Sequence, residues 1–97
     1  MGKIAKSFMW KSIKGPIAPR DMETSHLFFV VRMLWNNCAP AHLKLEPYKR
    51  WKIHYSAEYQ KEAVQQMLME LSKRPDVEER FLQQLQFMKN HSQKVMT

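Results

Sequence analysis

The chain contains 97 residues, of which 44% are hydrophobic and 26% are charged. This composition suits one small folded domain and excludes a wholly disordered, collagen-like or low-complexity chain. Sixteen Lys and Arg residues against nine Asp and Glu residues give a formal charge of +7, which favours an anionic partner. The one cysteine, Cys38, excludes an intramolecular disulfide and fits a reducing compartment.

Neither a membrane span nor an export signal is predicted. The longest apolar stretch, residues 27–35, is interrupted by Arg32 and is far shorter than the roughly 20 residues that cross a bilayer. Lys3 and Lys6 are not followed by the uninterrupted apolar segment of a secretory leader. We therefore expect a cytoplasmic protein that does not bind membranes.

Positive charge is concentrated at the start of the chain. Residues 1–20 contain five Lys and Arg residues and no acid, whereas residues 21–50 and 51–97 each carry a net charge of only +1. A local cluster of cations attracts a polyanion more strongly than the same charge spread over a whole surface. We therefore interpret residues 1–20 as a basic arm attached to a nearly neutral body.

The arm combines an alternating aromatic segment with prolines. Phe8 and Trp10 occupy alternate positions, which fits either a short strand over residues 7–13 or an extended segment lying on the body. Two Xaa-Pro dipeptides then indicate that residues 14–20 form extended or turning backbone rather than helix.

The first helix is predicted over residues 21–37. Asp21 or Thr24 can act as the N-cap, and acidic residues near this end suit the positive end of the helix dipole. Residues 26–35 are apolar on nearly every face, which is typical of a central helix with neighbours on several sides. Two asparagines followed by Pro40 end the helix.

A connection with two prolines, residues 38–47, precedes a segment of high β-propensity, residues 48–55. Trp51 and Tyr55 fall on one face of this segment if it is extended. We predict a short strand here, and we expect it to pair with residues 7–13 in a two-stranded ribbon.

Two amphipathic helices complete the chain. Ser56 is the predicted N-cap of a helix over residues 56–73. Asp76 and Glu79 form a predicted capping box for a helix over residues 76–91. The apolar positions at helical spacing are Val64, Met67, Leu68 and Leu71 in the first helix and Val77, Phe81, Leu85 and Met88 in the second, with Leu82 alongside. The short junction predicts an antiparallel pair.

These elements predict a mainly α fold, namely a small single domain of about three helices with a short two-stranded β ribbon (α+β). We divide the chain into a basic arm (residues 1–20), a helical domain (residues 21–91) and a frayed tail (residues 92–97).

The candidate binding surface combines cations and aromatic rings from the arm and from residues 48–55. Lys and Arg neutralise phosphates, and an exposed Trp or Phe ring stacks on an unpaired base with about 1–3 kcal/mol per base. The predicted residues of this surface are Lys3, Lys6, Trp10, Lys11, Lys14, Arg20, Lys49, Arg50, Trp51 and Lys52. The alternative is that Trp10 and Trp51 are core residues whose basic neighbours are simply solvated.

Arg32 lies within the most apolar helix, where a guanidinium is costly unless it reaches solvent or a partner. We favour an internal explanation, in which the side chain extends to solvent or pairs with Glu70 or Glu79. The alternative is that Arg32 faces a phosphate or carboxylate of a partner.

Metal and catalytic sites are not predicted. Cys38 and three histidines, His26, His42 and His54, form a tetrahedral zinc set on paper, but no second paired-ligand motif accompanies them. Neither Ser25-His26 nor Cys38 with His42 is evidence of a catalytic arrangement, and two glycines provide no phosphate-binding loop. We expect no metal, no cofactor and no enzymatic activity.

We predict a small non-enzymatic binding or regulatory protein whose basic-aromatic surface docks on nucleic acid or a nucleoprotein complex. The alternative is a protein-directed regulator or inhibitor that binds a partner protein, or a second copy of this chain, through Trp, Met and Arg. Eight methionines and three tryptophans favour this alternative because such side chains are common at interfaces. Met9, Met69 and Met96 fall outside the predicted core stripes.

Overall fold

A computed structural model describes residues 8–12, 14–46 and 55–96. In chain order it contains strand β1 (Trp10–Ser12), strand β2 (Gly15–Ile17), a 3₁₀ turn (Pro19–Asp21), helix α1 (Thr24–Cys38), a second 3₁₀ turn (Ala41–Leu43), helix α2 (Ala57–Ser72) and helix α3 (Glu79–Met96). The predicted mainly α fold of three helices and a two-stranded ribbon is confirmed. Among the described residues, none of these helices is long and apolar enough to cross a membrane.

The ribbon is an antiparallel hairpin of β1 and β2, in which Trp10 lies opposite Ile17. Gly15 makes the sharp reversal possible because its φ of 111° strains any residue with a side chain. The strand expected within residues 7–13 therefore forms, but its partner is β2. The predicted pairing of β1 with residues 48–55 falls on residues of which all but the last lie outside the described part of the chain.

Helix α1 begins later than predicted. Its N-cap is Glu23, whose side chain makes no capping hydrogen bond, so the expectation that Asp21 or Thr24 caps the helix is wrong. The Thr24 hydroxyl instead donates to Asp76 Oδ1 at 2.8 Å, which links α1 to the segment before α3. The helix ends at Cys38, as the following Ala-Pro pair predicted.

The core is organised around α1, which packs most extensively on α2 and also contacts α3. Its apolar side chains are buried on several sides, which confirms that it is the central helix. Trp35 donates from Nε1 to the carbonyl of Leu43 at 2.8 Å. The buried Asn36 side chain donates to the Leu45 carbonyl and accepts the Leu45 N–H, at 3.0 and 2.7 Å. Polar groups of α1 therefore hold the connection that follows it.

Helix α2 confirms its predicted cap, because Ser56 Oγ accepts the N–H of Tyr59 at 3.1 Å. The capping box predicted at Asp76 is wrong, since α3 begins at Glu79 and the Asp76 carboxylate is taken by α1. The helix also continues to Met96 instead of ending at residue 91. Val95 is buried in the core, so the predicted frayed tail is helical through Met96. All eight predicted apolar positions of α2 and α3 are buried, whereas Leu82 is 47% exposed.

Arg74, just after α2, ties the end of that helix to the start of α1. Its Nε donates to Glu70 Oε2 at 2.9 Å, which orients the guanidinium. Its Nη1 donates to the Met22 carbonyl at 2.8 Å and to Thr24 Oγ1 at 3.0 Å. Its Nη2 reaches the Pro19 carbonyl at 3.1 Å. The planar guanidinium of Arg74 thus donates hydrogen bonds to three segments of the chain.

Candidate functional site

An aromatic cluster joins the hairpin to the start of α2. Its members are Phe8, Trp10, Tyr55 and Tyr59. The Trp10 ring centroid lies 5.2 Å from that of Tyr55 and 6.1 Å from that of Tyr59. The Phe8 ring is stacked on Tyr59 at 5.6 Å. These contacts lie in the range in which aromatic pairs add to the energy of burial, so the cluster anchors the hairpin on the helical body.

Two hydroxyls of this aromatic cluster occupy the outer edge of β1. The Tyr59 hydroxyl donates to the Met9 carbonyl and accepts the Lys11 N–H, both at 3.0 Å. The Tyr55 hydroxyl donates to the Lys11 carbonyl. Lys11 lies opposite Pro16, which has no N–H, and its own polar backbone groups face the tyrosines. Burial is the main cause that raises the pKa of Tyr59, so the phenol keeps the proton that it donates.

Four of the predicted site residues lie in the described part of the chain. Lys11, Lys14 and Arg20 are exposed, and Lys11 Nζ lies 5.1 Å from the centroid of the Tyr59 ring. Trp10 is only 5% exposed because the tyrosines cover its ring. The prediction that Trp10 stacks on a base is therefore wrong, and its alternative as a core residue is confirmed. Outside the described residues lie Lys3, Lys6, Lys49, Arg50, Trp51 and Lys52.

A groove of about 210 Å³ lies beside the aromatic cluster. Arg20, from the first 3₁₀ turn, and Lys73, at the end of α2, bring cations to it. The half-buried Phe8 and the exposed Met69 contribute apolar surface. Glu70 also lines the groove, but its carboxylate is already ion-paired within the fold. The groove therefore presents two cations and an apolar surface to a ligand, with Ala18, Pro19 and Gln66 completing its lining.

Net charge is divided unevenly along the chain. The described residues carry eleven of the sixteen Lys and Arg residues and all nine acids, which leaves them a net charge of only +2. The other five cations belong to residues 1–7 and 47–54, which contain no acid. In sequence these segments lead directly into Phe8 and Tyr55, two members of the aromatic cluster. Most of the excess positive charge of the sequence thus belongs to segments that adjoin this cluster along the chain.

Arg32 is 8% exposed, so the expectation that its side chain extends to solvent is wrong. Its Nη1 donates to Gln84 Oε1 at 2.9 Å and to the Glu46 carbonyl at 3.4 Å. The expected ion pair is also wrong, because Glu70 pairs with another arginine and no ion pair joins Arg32 to Glu79.

Aromatic rings complete the surroundings of Arg32. Its Cζ lies 5.2, 5.3 and 5.6 Å from the ring centroids of Phe28, Phe29 and Phe81. Burial, and secondarily the nearby Arg80, lower the pKa of Arg32. Neutral oxygens and aromatic faces, rather than a carboxylate, thus hold this guanidinium.

The described residues contain no group of three or more His, Cys, Asp or Glu side chains placed to hold a metal ion. His54, the fourth ligand of the hypothetical zinc site, lies outside the described residues. Cys38 is partly buried, and burial raises the pKa of its thiol despite the opposing effect of Lys61. A raised pKa disfavours the thiolate, which is the nucleophilic form of cysteine.

The tyrosine pair and Lys73 are the site residues that sequence reasoning missed. Tyr55 directly precedes the N-cap Ser56 and Tyr59 lies in the first turn of α2, and their ring centroids are 5.1 Å apart. This pair of tyrosines next to a basic segment could have been used to predict an aromatic surface on which Phe8 and Trp10 pack. Lys73 carried no local signal, because only the fold brings it next to Arg20.

Comparisons of the chain with known protein families, curated proteins and solved structures found no match.

Proposed function

We propose that this protein binds nucleic acid, free or within a nucleoprotein complex, through the face around the aromatic cluster. The observation that carries the proposal is that two acid-free basic segments, residues 1–7 and 47–54, lead in sequence into Phe8 and Tyr55, both of which pack on Tyr59. Phosphate chains are the polyanions that such a concentration of Lys and Arg suits best.

The number of cations is sufficient for salt-dependent binding. The two basic segments contribute five Lys and Arg residues, and Lys11, Lys14 and Arg20 add three exposed cations on the hairpin side of the fold. If six of these eight contact phosphates, log affinity falls with log salt at a slope of about −4 for single strands and about −5 for duplex DNA. The remaining body is nearly neutral, so non-specific attraction over the whole surface is weak by comparison.

The aromatic residues have a scaffolding role in this proposal. Trp10, Tyr55 and Tyr59 are packed on one another and fix the backbone that carries Lys11 and Lys14. Preorganised cations lose less conformational freedom when a phosphate chain binds. Affinity is therefore expected to depend on the hairpin's attachment to α2 as well as on charge.

Fluorescence anisotropy with a labelled 20-nucleotide RNA, the matching single-stranded DNA and the matching duplex tests the proposal. We expect binding with the salt slopes given above. Replacing Lys11 and Lys14 together by Gln is expected to weaken binding about tenfold or more and to reduce the slope by about 1.5. Reversing Lys6, Lys11, Lys49 and Arg50 to Glu is expected to abolish it.

The matched control replaces Lys61 and Lys89, which lie on α2 and α3, by Gln. It removes the same charge, and we expect a loss of less than about threefold. The proposal fails if none of the three probes binds at low salt. It also fails if the control weakens binding as much as the hairpin variant, because net charge alone would then explain the affinity.

A further inference from the structure

We infer that the groove beside the aromatic cluster holds an unpaired nucleotide, so that the protein prefers single-stranded nucleic acid to duplex. This inference rests on the proposed nucleic-acid binding and assigns a ligand class to one part of that face. It draws on two features of the groove lining, the cations Arg20 and Lys73 and the apolar surface of Phe8 and Met69.

The chemistry of the groove matches the two halves of a nucleotide. A base offers a flat apolar face, for which aromatic and thioether side chains are suitable partners. The phosphates on either side of that base need cations, which Arg20 and Lys73 supply. Glu70, the carboxylate at the groove, is neutralised by its 2.9 Å ion pair and does not oppose an anion.

The position of Phe8 strengthens this match. One face of its ring is stacked on Tyr59, which holds the ring in place without enclosing it. A ring fixed in this way can stack on a base with little further loss of freedom.

A duplex cannot use the groove in this way. Its bases are paired and stacked inside the helix, and exposing one of them costs unstacking energy. The phosphates of a duplex can still meet the exposed lysines of the arm, so duplex binding is expected to be weaker but not absent. The difference between the two ligands therefore measures what the groove contributes.

The test compares the labelled 20-nucleotide RNA, the single-stranded DNA and the duplex on variants of the groove, at one salt concentration. Phe8→Ala and Met69→Ala are each expected to weaken single-strand binding about threefold to tenfold and to leave duplex binding within about twofold. Lys73→Gln is expected to weaken single-strand binding by a similar factor. The two single-stranded probes also report whether the groove discriminates RNA from DNA.

Two control variants match Met69→Ala and Lys73→Gln. Leu82→Ala removes an apolar side chain of similar exposure from α3, 47% against 59% for Met69, and Lys94→Gln removes an exposed lysine from the same helix. Both are expected to bind all three probes like the wild type. Circular dichroism of each variant confirms that its helices are intact.

The inference is overturned if the wild type binds duplex as tightly as single strands, or if Met69→Ala and Lys73→Gln behave like their controls. In either case the proposed function stands, because the protein still binds nucleic acid. Absence of binding to every probe instead refutes the proposed function itself. Phe8→Ala could also loosen the hairpin, and for that reason the decision rests on Met69 and Lys73, which lie on α2 and at its end.

Discussion

Removing the Tyr59 hydroxyl tests how the hairpin is held on the helical body. Tyr59→Phe keeps the ring that packs on Phe8 and Trp10 but deletes the oxygen that bonds the Met9 carbonyl and the Lys11 N–H. A net hydrogen bond stabilises a protein by about 0.5–1.5 kcal/mol. Because water can reach this edge and replace part of the loss, we expect the free energy of unfolding to fall by about 1–2 kcal/mol.

Tyr55→Phe is the matched comparison, since it deletes a hydroxyl that bonds only the Lys11 carbonyl. We expect it to cost about 0.5–1.5 kcal/mol. Urea unfolding followed by circular dichroism measures both values.

Amide hydrogen exchange at Lys11 separates the two variants further. The Lys11 N–H is donated to Tyr59, so its exchange is expected to speed up in Tyr59→Phe and to change much less in Tyr55→Phe. Unchanged stability together with unchanged Lys11 exchange in Tyr59→Phe would refute the view that these hydroxyls hold the strand edge.

Three further predictions concern pH, the Arg74 contacts and the cysteine. Folding raises the pKa of Tyr59, so the stabilisation by its protonated hydroxyl is fully present below the unfolded pKa of about 10 and is lost as pH rises through the folded pKa. In urea unfolding, the difference in free energy of unfolding between the wild type and Tyr59→Phe should therefore shrink over that pH range. Arg74→Ala should lower the free energy of unfolding by about 2–4 kcal/mol, because it removes the donor to the Met22 carbonyl and to Thr24 Oγ1 and the second donor to the Pro19 carbonyl. A loss below about 0.5 kcal/mol would contradict this role. Cys38 should react with iodoacetamide at neutral pH more slowly than a cysteine in an unfolded peptide, since burial raises its pKa; equal rates, followed by mass spectrometry, would show that the thiol is accessible and unperturbed.

Local patterns predicted the helices better than their ends. The apolar stripes of α2 and α3 and the Ser56 cap depend on residues that are close in sequence, and all of them were confirmed. The starts of α1 and α3 were misplaced because Thr24 and Asp76 bond each other across 52 residues, so neither is free to cap its own helix. Such a bond depends on the packing of two helices and leaves no trace in either local sequence.

The hairpin of β1 and β2 was not predicted, for a related reason. High β-propensity favoured residues 48–55 as the partner of the first strand, whereas the turn at Gly15 brings a neighbouring segment back more readily. Short loops close at lower entropic cost than long ones, so a local partner has an advantage that propensity does not express.

The charge pattern correctly predicted exposed cations at the candidate site, but the aromatic pattern led to the wrong role for Trp10. Lys11, Lys14 and Arg20 are exposed, as a basic surface requires, but Trp10 is packed in the core. A tryptophan among lysines has the same local sequence pattern whether it binds a ligand or anchors a strand. The contacts of Trp10 with Tyr55 and Tyr59, which are distant in sequence, show that it anchors β1. Arg32 likewise avoids an acidic partner because three phenylalanine rings, rather than a carboxylate, surround it.

The two phenols on the outer edge of β1 also affect how molecules of this protein meet one another. Unpaired amides and carbonyls on a strand edge can template a strand from another chain, which is how fibrillar aggregates grow. Here the Lys11 amide and carbonyl are occupied by side chains of the same molecule, and on the opposite edge Pro16 offers no amide hydrogen. Neither border of the hairpin can extend by regular backbone pairing at these positions, so a very short ribbon is protected from polymerising.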